Sequence, residues 1–94
     1  MPQEFSLHQN YPNPFNPTTT INFDLPNNIN VTIAVYDING RLVANLFKGV
    51  KSAGYHTISW DSRNQLGGKV SAGVYFYQLQ SKEFVKTHKM ILLK

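Results

Sequence analysis

Few residues in this chain have the type and spacing that chemistry needs. The three histidines, His8, His56 and His88, fall in separate segments, and no pair has metal-ligand spacing. Asp37-Ile38-Asn39-Gly40 echoes the opening of a calcium loop, but the downstream acidic ligands are missing and a hairpin turn explains it better. Gly67-Gly68-Lys69 has the flavour of a phosphate loop. Val70 stands where a Ser or Thr is needed, however, and no helical pattern follows. Ser6, Ser52, Ser59, Ser62, Ser71 and Ser81 lack a nucleophile-elbow context, and the five carboxylates form no acid–base pair. Asn30-Val31-Thr32 matches a glycosylation acceptor, a pattern common by chance. The sequence therefore predicts a non-enzymatic protein with no metal or other cofactor.

Aromatic residues offer a second kind of chemistry. Tyr75 and Tyr77 share one face of a strand-like segment, where exposed rings would stack on sugars or bases. The opposing reading is that a core consumes them. Trp60 shares a face with Ile58 and is expected in the core. Nucleic acid is not expected as a partner, because Arg41 and Arg63 are the only arginines.

These residues must be positioned by strands. Ile21, Phe23 and Leu25 alternate with Asn22 and Asp24; Ile29, Val31, Ile33 and Val35 alternate with Asn30, Thr32 and Ala34. His56, Ile58 and Trp60 alternate with Tyr55, Thr57 and Ser59. This is the strand period. The run from Gly73 to Leu79 is apolar or aromatic on both faces, as in a central strand or one packed on both sides. Phe84 to Leu93 reads as a last strand. Turn sequences separate them: Leu25 to Asn30, Asp37 to Arg41, Lys48 to Gly54, the long Asp61 to Gly73 loop, and Gln80 to Phe84. Asn39-Gly40 is the strongest hairpin signal, since both residues tolerate positive φ. Leu42 to Leu46 is too short to prefer a helix. Short strands with frequent turns predict an all-β antiparallel sandwich or small barrel.

At 94 residues, 41% apolar and 13% aromatic, the chain suits one small folded domain. There is no cysteine, no apolar run approaching the roughly 18 residues of a membrane span, and no signal-peptide pattern at Met1. The net charge of +4 permits an anionic partner without requiring one.

The stretch Asn10-Tyr11-Pro12-Asn13-Pro14-Phe15-Asn16-Pro17 cannot be helical. It holds three of the five prolines, which fix φ and remove donors, so it cannot be a central strand either. It is expected to be a stiffened lead-in, with Tyr11 and Phe15 as anchors on an open edge or end of the fold.

The motifs FSLHQNYPNPFNPTTTINFDLP, VYDINGRLV, AGYHTISWD, SAGVYFYQL and KTHKMILLK occur in that order between Phe5 and Lys94. Together they resemble the type A C-terminal sorting domain of the bacterial type IX secretion system, and more loosely the immunoglobulin-like domain of flagellar hook-capping proteins. The resemblance implies an immunoglobulin-like sandwich of about seven strands without significant helix. Its motif residues include Asn39, Gly40, Trp60, Gly73, Val74 and Tyr75. It also implies a secretion signal at the end of a larger cargo protein, passing from a Gram-negative periplasm through the outer membrane to the surface or medium. The implied partners are translocon and shuttle proteins, with a sortase-like peptidase in many members. Residues 5–94 are then the sorting domain, and residues 1–4 an expression start or linker remnant.

Within that reading the last strand is the expected docking element. Lys86, Lys89 and Lys94 suit an acidic receptor, and Met90, Ile91, Leu92 and Leu93 form an apolar run at an edge. The alternative is that Ile91 and Leu93 complete the core while the lysines protect the edge. Two other functions stand beside sorting: a carbohydrate-binding module using Tyr75, Tyr77 and Trp60, and a structural spacer.

Overall fold

The computed structural model describes residues 1–93. Among these are seven strands and no helix: β1 (Ser6–Leu7), β2 (Thr19–Leu25), β3 (Ile29–Tyr36), β4 (Leu42–Lys51), β5 (Gly54–Trp60), β6 (Gly73–Gln80) and β7 (Val85–Leu92). They form two antiparallel sheets, β1-β2-β5 and β4-β3-β6-β7, packed as an immunoglobulin-like sandwich.

Period-2 patterning decides which side chains enter the core. In β2, Thr19, Ile21, Phe23 and Leu25 are buried while the residues between them face out. Opposite them lie Val31, Ile33 and Val35 of β3 and Tyr75, Tyr77 and Leu79 of β6. Met90 and Leu92 of β7 complete this layer. The inward parity on β7 is thus the reverse of the alternative drawn from sequence: Ile91 is half-buried on the outer face and Leu93 is 50% exposed. Likewise β6 is central but packed on its inner side only, since Val74 and Phe76 are half-buried on the outer face.

One boundary and one turn differ from the sequence reading. β4 runs to Lys51, through residues expected to turn, and the β4–β5 connection is only Ser52 and Ala53. Gly49 pairs opposite Val31 at a φ of 149°, which glycine tolerates, and does not break the strand. The β3–β4 hairpin closes where Asn39-Gly40 predicts, but by a different turn. Only Gly40 has positive φ (82°), and the Asp37 carboxylate accepts from Asn39 N–H and Arg41 N–H, both at 2.9 Å. This is the three-residue loop whose last position wants glycine.

Both edges of the four-stranded sheet are partly covered by the chain itself. Gln65 in the 61–72 loop donates its N–H to Val43 O (3.0 Å), and its side chain accepts from Asn45 N–H (2.7 Å), which covers the start of β4. The opposite edge strand, β7, is covered over its C-terminal half by the proline-rich lead-in.

Candidate functional site: the terminal strand and its proline-rich strap

The lead-in belongs to both sheets. After β1 it continues along β2, with His8 N–H donating to Asn22 O (3.0 Å) and Tyr11 exchanging two 2.9 Å main-chain bonds with Thr20. It then leaves β2 and crosses the open side of the sandwich. The peptide bonds before Pro12, Pro14 and Pro17 are cis. At Phe15 it meets β7 in parallel: Phe15 N–H donates to Ile91 O (3.0 Å), and Leu93 N–H donates to Phe15 O (2.8 Å). Asn13 Oδ1 accepts from Ile91 N–H (3.0 Å) and the Gln9 amide donates to Lys89 O (2.9 Å). Four main-chain groups of the terminal strand are thereby satisfied by residues 9–15.

The crossing is fixed by buried polar contacts. Asn10, 2% exposed, donates its N–H to the Tyr77 hydroxyl (2.7 Å) and its side-chain amide to Thr19 Oγ1 (2.9 Å) and Pro12 O (3.1 Å). Tyr77 in turn donates to His8 O (2.6 Å), and Thr19 donates to Pro12 O (2.8 Å). An uncapped kink would bury unpaired carbonyls, so this network is what lets a donor-poor segment lie against a core. Farther on, the Ser62 hydroxyl donates to Pro17 O. Ser62 is buried and holds a left-handed backbone (φ 67°), unusual for a residue other than glycine. No local pattern around Ser62 points to this role.

Phe15 is the ring that anchors the strap. It is 1% exposed and packs on Trp60 (centroids 5.9 Å apart), which meets Tyr75 edge-on (5.4 Å). The Trp60 ring N–H donates to Arg63 O (2.9 Å) and the Tyr75 hydroxyl to Ser71 O (2.6 Å), so both aromatics end on polar partners in the 61–72 loop. Tyr11 corrects the expectation. Its ring is 80% exposed and its main chain alone is anchored, because its position opposite Thr20 aims it at the outer face of β2. Tyr75, Tyr77 and Trp60 are all buried, so none presents a face for a sugar to stack on.

The remaining sequence-nominated residues fall into place around this unit. Pro12, Asn13, Pro14, Asn16 and Pro17 are exposed at the surface of the strap. Gly73 begins β6 opposite Leu92 with φ of 148°, a conformation that side-chain-bearing residues rarely adopt. Lys86 and Lys89 are exposed along β7, Met90 and Leu92 are core, and Lys94 lies outside the described residues. Among the described residues no three His, Cys, Asp or Glu side chains come together as metal ligands, and no helix is long and apolar enough to cross a membrane.

An immunoglobulin-like sandwich with a sheet-switching lead-in is the class of protein these features define. The chain belongs to the FlgD Ig-like domain family, whose model matches residues 10–83. Among solved structures it is similar to dimeric latent PorU from Porphyromonas gingivalis, at 25% identity and a TM-score of 0.71 over 90% of this chain. It is also similar to FlgD from P. aeruginosa, at 28% identity and a TM-score of 0.61 over 79% of this chain. PorZ, a surface component of the type IX secretion system of P. gingivalis, shares the fold, at 20% identity and a TM-score of 0.60 over 96% of this chain. The chain spans 9% of PorU, 57% of FlgD and 11% of PorZ. Comparison with curated proteins gave no match.

Two outcomes follow from the strap. Phe15→Ala removes a fully buried ring and should cost ~3–5 kcal/mol in urea unfolding, whereas Tyr11→Ala should stay within ~0.5 kcal/mol of the parent. Equal effects would contradict the anchoring by Phe15. The second concerns pH. Burial pushes the Tyr77 hydroxyl up to about 12, with the Asn10 N–H acting in the opposite direction. The unfolded chain then loses this proton first, so the stabilisation is complete below about pH 10 and lost as the pH rises toward 12. Tyr77→Phe should cost ~1–3 kcal/mol at neutral pH by stranding Asn10 N–H and His8 O, and its stability should fall less steeply than the parent's over that alkaline window. Parallel pH curves for the two proteins would contradict the buried neutral phenol.

Proposed function

We propose that this domain is a non-enzymatic sorting module. It directs an upstream cargo through the outer-membrane translocon of a type IX secretion system, from the periplasm to the cell surface or medium. The observation that carries this reading is the pairing of the lead-in with the terminal strand: the two ends of the motif series that resembles sorting domains are joined in one structural unit. The similarity to PorU supports it in sequence, and the similarity to PorZ supports it in fold. Translocon and shuttle proteins are the partners, with a sortase-like peptidase acting ahead of the domain.

Exposed Lys86 and Lys89, together with Lys94, are the cations offered to the receptor. Residues 5–94 constitute the module and residues 1–4 precede it. Met90 and Leu92 act indirectly, by holding the strand in the core, while Ile91 and Leu93 present apolar surface beside the strap.

The family match and the likeness to FlgD favour a second reading, a structural spacer between other domains. The two differ in whether the domain alone moves a passenger. A periplasmic reporter fused ahead of this chain, in a bacterium with a type IX system, should appear on the surface or in the medium. Lys86→Gln/Lys89→Gln/Lys94→Gln should reduce delivery several-fold with an unchanged melting temperature. Retention of the parent fusion in the periplasm would favour the spacer, and undiminished delivery of the triple variant would remove the lysines from recognition.

A further inference from the structure

Only part of the outer edge of β7 is covered. The alternation of the β6–β7 ladder is fixed at the turn by Ser81 N–H donating to Phe84 O (2.8 Å), and at the far end by Ile91, which bonds outward to the strap. Residues 85, 87, 89 and 91 therefore direct their main-chain groups away from β6. Ile91 gives both of its groups to the strap and Lys89 gives its carbonyl to Gln9. The N–H and C=O of Val85 and Thr87, and the N–H of Lys89, have no partner among the described residues.

This open stretch differs in chemistry from the covered one. Val85 is 55% exposed, and Lys86, Thr87 and Lys89 are also exposed. The hairpin carries Lys82, Lys86 and Lys89 against one acid, Glu83. Lys86 has the inner-face parity and Lys89 the outer, so an added strand would meet a cation on either side. Val85 and Thr87 are β-branched and supply outer-face cross-strand partners. A second copy of this chain fits poorly, because the edge it would present over residues 85–89 carries Lys86 and Lys89 and no acid to meet them.

We infer that residues 85–89 are a docking edge for an extended acidic segment of a partner protein, which adds to the four-stranded sheet as a fifth strand. The main chain supplies affinity and the lysines supply selection by charge. The strap sets the limit of the site at Lys89, so the partner strand is short, with about five residues in register. The inference rests on the sorting reading for the partner's identity, but the edge and its chemistry are testable without it.

The probe is a capped synthetic peptide of about seven residues alternating Asp and Val, titrated into the isotopically labelled 94-residue chain. Saturable shifts are expected at the amides of residues 85–89, with slower hydrogen exchange at Thr87 and Lys89. Thr87→Pro deletes an outward donor without removing a β6–β7 main-chain bond, although it forfeits the exposed contact with Gln78. It should weaken peptide binding at least about ten-fold. Lys86→Gln/Lys89→Gln should also weaken it and reduce its salt dependence, which serves if the proline variant fails to fold.

Absence of shifts would overturn the inference, as would shifts that survive intact in a folded Thr87→Pro, since these mark charge association without strand pairing. Concentration-dependent dimerisation through the same residues would assign the edge to a second copy and overturn it too. Reporter delivery separates this inference from the sorting reading. If the parent fusion is not delivered while the peptide pairs, sorting fails and the edge stands. If Thr87→Pro loses the peptide but is still delivered, the edge is not the sorting contact and sorting stands.

Discussion

The structure depends on a contact between the two ends of the chain. Phe15 exchanges main-chain bonds with Ile91 and Leu93 while its ring fills the space beside Trp60. Neither end has a complete set of partners alone. Without the strap, the C-terminal half of β7 would be an open edge and Trp60 would lose a ring neighbour. Without β7, the proline-rich stretch beyond Tyr11 would lose its bonds from Phe15 and Asn13 to a sheet, leaving it tied through Asn10 and Tyr11. A domain of this size has only ~5–15 kcal/mol of net stability, so one buried aromatic and its bonds are a large share of the total.

Such a contact is possible because the polar cost of the crossing is met locally. The Tyr77 hydroxyl accepts from Asn10 and donates to His8, and Thr19 and Asn10 together satisfy the Pro12 carbonyl. Among the described residues no buried side-chain nitrogen or oxygen lacks a partner. These groups come from β6, β2 and the strap itself, so the kink is over-determined by both sheets. Two of the three asparagines have defined parts in this. Asn10 is a buried bonding residue and Asn13 caps an edge amide, while the prolines remove donors that would otherwise need partners.

Much of the fold was legible from period 2. The buried faces of β2, β3, β5 and β6 follow the alternation, because a strand covered on one side repeats every second residue. β1 was not legible, since two residues carry no period. The far half of β4 was hidden because Lys48 to Gly54 reads as a turn, whereas Gly49 pairs opposite Val31 at a positive φ that glycine allows. On β7, lysines on both parities masked the inward face, and the core residues proved to be Met90 and Leu92. In the strap, both rings looked like anchors, but a β-bridge opposite Thr20 turns Tyr11 to solvent. The roles of Ser62 and of Gln9 depend on contacts 45 and 80 residues away, which local spacing cannot encode. The sugar-stacking alternative failed for the same reason: which face of Tyr75 and Tyr77 is covered is a tertiary fact.

If the two ends form one cooperative unit, they are more than a proline-rich leader and a final strand that happen to adjoin. The amides of Phe15, Ile91 and Leu93 report on this directly, because each donates across the junction. Native-state hydrogen exchange in increasing denaturant is the decisive measurement. Exchange of all three with the free energy and denaturant slope of global unfolding is the expected result. Exchange of Phe15 and Leu93 by denaturant-insensitive fraying, while core amides in β3 and β6 stay protected, would contradict the claim that the strap and the terminal strand are a single part of the fold.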